Sequence, residues 1–387
     1  MLPSFYQTLL EKSLNQSQLI TLKMLVWLLQ SQKQVRIERL AATLPLPIRQ
    51  NSRRRHLQRW RRHLQRFLNL NALSVVLLWF PIIEAIINRH FRAGSQLIIA
   101  MDRTQWKENN VLMVSVIYQK RAWSIFWCLL EKNGSSNLQE QQKVLRPVIR
   151  LLKQYQLVLI GDREFHSIEL ADWLHRQNIS FVFRQKHDTT FREKGQKFQA
   201  LNRIEIYPGI RRFYPHVTFT QKRGFGQFNL AVYWKRKYRT KQEAEAWYLL
   251  TNLPALETAV HIYRQRFGIE AMFRDCKTGG DNLEGSKANP DRLVRLIFLI
   301  ALAMTSAWLQ GQKTKFQKQQ SYICRTQEKS RTRKRHSDFW IGLYGFNWIV
   351  AFHECQAWVE ELIASIRNKW VFYQRGLKAM ALIQKPL

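Results

Sequence analysis

"QLIIAMD", residues 96–102, is an apolar run that closes on an acid, and "LVLIGD", residues 157–162, repeats the arrangement. A short apolar run bounded by polar residues reads as a buried strand. Between the two lie "NVLMVSVIY" and "AWSIFWCLLEK", which read as two further strands. They are followed by the amphipathic "SNLQEQQKVLRPVIRLLKQY", a helix that Pro147 can kink. Beyond Asp162 come a helix in "SIELADWLHRQN" and another strand in "ISFVFRQK".

Three meandering strands, a helix and then a parallel strand is the order of an RNase H-like core, so the expected class is α/β with a mixed sheet. Residues 1 to about 92 read as helical, with apolar spacing of helical period in "LITLKMLVWLLQ". A short helix, a turn at Pro45–Pro47 and a second helix from near Ser52 follow. The β-rich stretch from Thr189 to about Arg239 reads as an inserted β-subdomain, and "AWYLLTNL" resumes the core as a strand. A helix then runs from near Pro254 through Tyr263 to Lys277, where Gly279 and Gly280 can end it. "DRLVRLIFLIALAMTSAWL" is expected as a buried helix, Lys313–His336 as a basic mobile arm, and 338–368 as helical again. The expected division is a helical basic region over 1–92, the core with its insertion at about 189–239 over 93–310, and a basic arm with C-terminal helices over 311–387.

Composition narrows the partner. The 387 residues hold 62 Lys+Arg against 27 Asp+Glu, a formal charge of +35. Such a balance points to a polyanion, by default nucleic acid, whose counterions are released when Lys and Arg neutralise phosphates. An acidic membrane surface is the other option, but Leu296–Leu309 falls short of the ~18–20 apolar residues of a spanning helix. The start of the chain lacks the pattern of a secretory signal, and four scattered cysteines form neither a zinc motif nor a disulfide framework, which suits a reducing cytoplasm. The second N-terminal helix carries Arg53, Arg54, Arg55, Arg59, Arg61, Arg62 and Arg66. One reading is a helix-turn-helix-like DNA reader; the other is a helical bundle with a solvated basic face.

Only eight aspartates occur, and Asp102 and Asp162 each close an apolar strand on this reading. Either alone could simply start a turn or cap a helix. Together, on strands placed side by side, they can hold a divalent cation, and Glu270 is the candidate third carboxylate for two-metal phosphoryl chemistry. Oxygen ligands suit Mg²⁺, with Mn²⁺ as substitute. At about 100° per residue, Tyr263, Arg266, Glu270 and Lys277 fall within about 60° on one face of a continuous helix. That face would join a metal ligand to a phosphate clamp, or be an exposed mixed-charge face.

The spacing Tyr263–x2–Arg266–x3–Glu270–x6–Lys277 resembles the YREK signature of the DDE insertion-sequence transposases, the group that includes hairpin-forming cut-and-paste enzymes. "AMDRTQW" around Asp102 and "GDREF" around Asp162 resemble that family's first and second aspartate motifs, and "AWYLLTNLP" resembles the strand before its signature helix. The resemblance implies an RNase H-like domain interrupted by a β-rich insertion, divalent metal, and a dimer holding two transposon ends. It also implies that Trp247 stacks on a flipped base; packing in the core is the other role for this tryptophan, and Trp234 is the alternative stacking residue. The expected function is cleavage of transposon ends at the terminal inverted repeats and their joining to target DNA, in the cytoplasm on the nucleoid. A nuclease or resolvase without strand transfer, and a DNA-binding protein with a decayed core, are the alternatives.

Overall fold

In the computed structural model the described residues are 2–45, 53–106, 109–221, 225–236, 245–276, 286, 288–325 and 336–385. The chain forms two compact units, Ile83–Arg274 and a helical unit made of Met1–Ile82 together with Asp275–Leu387. This differs from the contiguous division at 92/93 and 310/311. The helices that precede and follow the second unit in the sequence share one core, and the long apolar helix expected inside the catalytic domain belongs to them.

The N-terminal part of the helical unit contributes α1 (Ser4–Leu10), α2 (Gln16–Gln32), α3 (Ile37–Ala42) and α4 (Arg53–Phe67). Asn15 starts α2 through a capping box with Gln18, so two donors left free by the first turn are satisfied. Trp60, Leu64 and Phe67 give α4 its buried face, while Gln58, Arg59, Arg61, Arg62 and Arg66 are exposed. A π-helical turn at Val75–Trp79 leads into α5 (Phe80–His90).

The second unit is built on one sheet. Its elements are β1 (Gln96–Trp106), β2 (Asn109–Tyr118), β3 (Arg121–Leu130), α6 (Leu138–Leu151), β4 (Gln156–Gly161), α7 (Ile168–Arg176) and β5 (Ser180–Arg184). There follow β6 (Thr190–Arg192), β7 (Gln199–Ala200), β8 (Arg211–Phe219), β9 (Phe225–Tyr233), β10 (Trp247–Thr251), α8 (Leu256–Tyr263) and α9 (Phe267–Cys276). The strand order is β3-β2-β1-β4-β5-β10-β9-β8-β6-β7. β1 runs antiparallel to β2 and parallel to β4, and β4 runs parallel to β5, which is the RNase H-like core read from the sequence.

Two details differ from expectation. β1 does not stop at Asp102: β2 pairs with it through Arg103↔Leu112, Thr104↔Val111 and Gln105↔Asn110, so the polar "RTQW" stays in the ladder. The inserted strands do not form a sheet of their own. β10 pairs antiparallel with both β5 and β9, so the insertion widens the core sheet. The β2–β3 connection is a two-residue hairpin whose Gln119 and Lys120 both take positive φ (47° and 66°), the backbone of a tight hairpin turn that matches strand twist.

The chain returns to the helical unit with α10 (Pro290–Phe316), α11 (Asp338–Ser365) and α12 (Trp370–Gln384). Asn289 caps α10 and Pro290 stands in its first turn, the position where proline loses no hydrogen bond. By length and composition α10 could cross a membrane, but 78 % of its most apolar window is buried within the protein. Tyr6 donates its hydroxyl to Thr305 at 2.7 Å and Gln30 its amide to the Ala303 carbonyl at 3.0 Å, so α10 is anchored by α1 and α2. The expected basic arm begins as helix: α10 continues through Lys313 and Lys315, and Lys315 pairs with Asp338 at the start of α11. A 3₁₀ turn at Gln320–Tyr322 follows, and 326–335 of that arm lie outside the described residues.

α10 and α11 cross on glycines. A Cβ built on Gly342 would stand 1.7 Å from the Ala307 carbonyl oxygen, and one on Gly311 would stand 1.8 Å from that of Asp338. No side chain fits without separating the backbones. Gly342→Ala should therefore destabilise the protein by at least about 1–3 kcal/mol, the ordinary cost of overpacking. Chemical denaturation of the wild type and the variant checks this, and unchanged stability would show that the helices do not meet this closely.

Candidate active site

The β1–β4 register pairs Ile99 with Leu159 and Ala100 with Ile160. Asp102 and Asp162 each lie two residues further along, Asp102 within β1 and Asp162 directly after the parallel β4. Asp102 shares the side of β1 that carries Ala100 and Thr104, and all three are buried; Asp102 is 8 % exposed. One of its oxygens accepts from the Arg103 backbone N–H at 2.8 Å. Asp162 follows β4 directly and also caps the 3₁₀ turn Arg163–Phe165, accepting from the Glu164 N–H at 2.9 Å. The cap reading of Asp162 is therefore realised. Gly161 is required beside it, since a Cβ there would meet the Phe165 side chain at 2.9 Å.

The third carboxylate is carried by a segment that is not one helix. α8 ends at Tyr263, a 3₁₀ turn occupies Arg264–Arg266, and α9 begins at Phe267. The single 60° face expected for four residues is interrupted there. What survives is the i, i+4 pair: Arg266 donates to Glu270 and also approaches the second oxygen of Asp102 at 3.4 Å. Arg266 thus stands between the buried Asp102 and the 46 % exposed Glu270 side chain. Ile269, Met272 and Phe273 of α9 are buried, the Ser115 hydroxyl of β2 donates to the Met272 sulfur at 3.9 Å, and Gly268 lets the α9 backbone approach the Lys120 carbonyl, where a Cβ would stand at 3.2 Å.

The electrostatics are those of crowded acids. Burial and the neighbouring Asp162 push the Asp102 carboxyl up to about 7; Glu270 adds to this, while Arg266 and the Arg103 N–H oppose it. Burial works against the charge of Arg266, yet Tyr263, Asp102, Glu270 and Asp162 together raise its pKa further. Burial also raises the Tyr263 phenol. Among the described residues, no three His, Cys, Asp or Glu side chains are gathered closely enough to hold a metal ion. The donor set itself is all carboxylate oxygen, the chemistry that suits Mg²⁺ or Mn²⁺, and Asp102 lies where added positive charge is favoured.

Of the expected clamp, Arg266 is in place at the carboxylates among the described residues, with the Tyr263 side chain hydrogen-bonded to it. Tyr263 is 2 % exposed and does not present a surface, because Trp247 meets it edge-on at 4.9 Å. Trp247 is half-buried, with Tyr233 at 5.7 Å on another side, so packing is the role this arrangement displays. Lys277 lies outside the described residues. Arg53, Arg54 and Arg55 lie on α4, but their side chains lie outside what is described. Arg59 is exposed on α4 beside the Trp60 ring.

Sequence reasoning missed a network that fixes the two aspartates relative to each other. Arg103, next to Asp102, donates to Glu164 at 2.7 Å and to Asn110 at 3.0 Å. Glu164, two residues after Asp162, accepts the Ser136 N–H and hydroxyl on its other oxygen, each at 3.0 Å. Asn110 in turn donates to the Lys132 and Gly134 carbonyls. This largely buried pair ties β1 to the turn after β4. The signal was available: an opposite charge beside each motif aspartate, in "DR" and "DRE".

The raised Asp102 has a consequence for stability. A carboxyl whose folded pKa lies above its unfolded value contributes stability that is fully present below about pH 4 and is lost as pH rises through about 7. In chelator, Asp102→Asn should therefore melt above the wild type at about pH 8, with the difference shrinking toward about pH 5. Thermal melts across that range check this; a variant that is less stable at every pH would overturn it.

Residues 125–305 match the model of a family described as "Transposase DDE domain". The match contains Asp162 and Glu270 and begins after Asp102. No curated protein matches the chain. Among solved structures, the chain is similar to the piggyBac transposase of a synaptic complex with hairpin DNA seen by cryo-EM, at 14 % identity and a TM-score of 0.43, covering 84 % of this chain and 69 % of that one. The family match supports reading this chain as a DDE transposase, an enzyme that acts on DNA.

Proposed function

We propose that this protein cleaves the ends of a transposable element and joins them to target DNA, by a cut-and-paste route with a hairpin intermediate. The observation that carries the reading is the register of β1 with the parallel β4, which leaves Asp102 and Asp162 each two residues past the Ala100–Ile160 pair, with Glu270 tied to Asp102 through Arg266. Water attacks the phosphorus at the element's end, and the bond to the 3′-oxygen breaks, leaving a 3′-hydroxyl on the element and a 5′-phosphate on the flank. That hydroxyl next attacks the opposite strand and displaces the flanking 3′-oxygen, which takes up the proton. Hydrolysis of the hairpin frees the 3′-hydroxyl again; it then attacks a target phosphorus and displaces the target's 3′-oxygen, which takes up the proton. Asp102, Asp162 and Glu270 would hold Mg²⁺ or Mn²⁺, which when bound stabilises charge on the phosphoryl oxygens. Arg266 and Lys277 hold the phosphates of the end, a task suited to their charge and donors.

Tests follow from the roles. With Mg²⁺ and a plasmid carrying the element with its own ends, the wild type should give excised and joined products, and chelation should abolish both. Glu270→Gln should abolish cleavage under saturating DNA while binding stays intact. Full cleavage by that variant would sink the assignment of Glu270, and cleavage without joined products would identify a nuclease.

A homodimer is part of the proposal. The later half of α11 exposes Trp358 and Leu362, and the start of α12 exposes Trp370, Val371 and Phe372. The charged residues there are segregated: Glu354, Glu360 and Glu361 on α11, Lys369, Arg375 and Lys378 at and along α12, all exposed. Two copies could pair acidic helix to basic helix around the tryptophans, and large exposed apolar surfaces commonly mark such interfaces. Sedimentation should show a dimer that Trp358→Ala with Leu362→Ala reduces to monomer; a dimer unaffected by the pair would place the interface elsewhere.

A further inference from the structure

The exposed face of α4 has an order that its charge alone does not require. At about 100° per residue, Gln58, Arg62, Gln65 and Asn69 fall within about 60° of arc, with Asn69 just past the helix end. Arg59 and Arg66 lie together along one flank of that stripe. On the other flank Arg61 is engaged with Glu38 at 3.3 Å. The buried face, Trp60, Leu64 and Phe67, is opposite. Arg292, in the first turn of α10, donates to Asn69 at 3.2 Å and completes an open cleft of about 590 Å³ along the stripe.

We propose that this cleft is a sequence-reading site for the major groove of duplex DNA, separate from the carboxylates. Gln65, Gln58 and Asn69 with Arg62 face the base edges, and Arg59, Arg66 and Arg292 take the flanking phosphates. The inference rests on reading the chain as an enzyme acting on DNA, and it adds where end recognition resides. The side-chain types decide the class of ligand. Asn and Gln pair bidentately with adenine, and Arg with guanine, in the major groove, which admits an α-helix. A helix that only gripped phosphates would need no amides along this line. Single-stranded nucleic acid is disfavoured because both large aromatics of α4 are buried, leaving no platform for stacking. A lipid surface is disfavoured because the stripe is polar throughout, with no apolar face to insert. Duplex RNA is disfavoured because its major groove is too narrow for side chains to read.

The experiment is selection on the full-length chain from a pool of duplex DNA with a randomised centre, in chelator so that no cleavage is needed. The expected result is an enriched motif with adenine and guanine positions. Arg62→Ala or Gln65→Ala should then lose about five- to 150-fold of discrimination at one position while keeping affinity for random duplex. Arg59→Ala or Arg66→Ala should weaken all sequences alike and reduce the salt slope by about one each. These residues lie at the surface, and circular dichroism would confirm that the variants fold. Absence of any enriched motif, equal retention of single strands or duplex RNA, or Arg62→Ala and Gln65→Ala variants that weaken every duplex equally would overturn the proposal. A motif bound by a protein that cleaves nothing would leave this inference standing and remove the catalytic one.

Discussion

Burying one aspartate within a strand beside another that follows its parallel neighbour is electrostatically unfavourable, and the second unit is arranged around meeting that requirement. Burial and Asp162 both oppose the charge on Asp102. Arg266 answers from the side of α9, and the Arg103 N–H answers along β1. Neither makes Asp102 an ordinary carboxylate. A site that served stability alone would have an apolar residue there, since replacing buried charges by well-packed hydrophobic groups is often neutral or stabilising. An acid kept there at a cost in stability fits the catalytic role proposed for Asp102.

The same requirement explains the rigidity of the surroundings. Two like charges on neighbouring strands would move apart if their backbones were free to do so. Arg103 and Glu164 prevent this by crossing between the strands, and Ser136 and Asn110 fix each end of the pair. Glu270 is held differently. Its helix rests on the β2–β3 hairpin through Gly268 and Met272, while its own side chain is open to solvent. Two carboxylates are thus built into the sheet and the third is carried by a helix tied down by packing, so adjustment on binding substrate is easiest for Glu270.

Much of this was legible in the sequence, and the exceptions have physical causes. The core strands were read from apolar runs between turn residues, and burial on both faces makes such runs continuous. β1 was read too short because its apolar pattern stops at Met101; Arg103, Thr104 and Gln105 remain extended only because β2 supplies ladder partners. The insertion was read as separate because β10, which joins it to β5, lies far along the chain from β5. The break at Arg264–Arg266 escaped a constant-angle projection, which assumes one helix type throughout. The partnership of N- and C-terminal helices escaped altogether, because a shared core between distant segments leaves no local pattern. At the site, Asp102 and Asp162 were legible as acids that follow apolar runs, and Arg266 with Glu270 as an i, i+4 pair, whereas the cover of Trp247 over Tyr263 leaves no local pattern.

The formal charge of +35 cannot by itself organise a reaction on DNA. Phosphate contacts by Lys and Arg act on any sequence, and their contribution falls steeply with salt. A chain relying on them alone would be held along all the DNA it meets. Directed chemistry needs features of short range, where geometry counts. Hydrogen bonding at base edges is one such feature, and the amide and arginine stripe of α4 carries the groups for it. A crowded carboxylate site is another, since acids set among so many bases repel phosphate until positive charge intervenes. The 27 acids are informative for that reason: in a chain dominated by bases, each acid held close to another marks a place where general attraction to DNA is locally reversed. Asp102, Asp162 and Glu270 are such a place, and Arg266 among them sets how far the reversal extends.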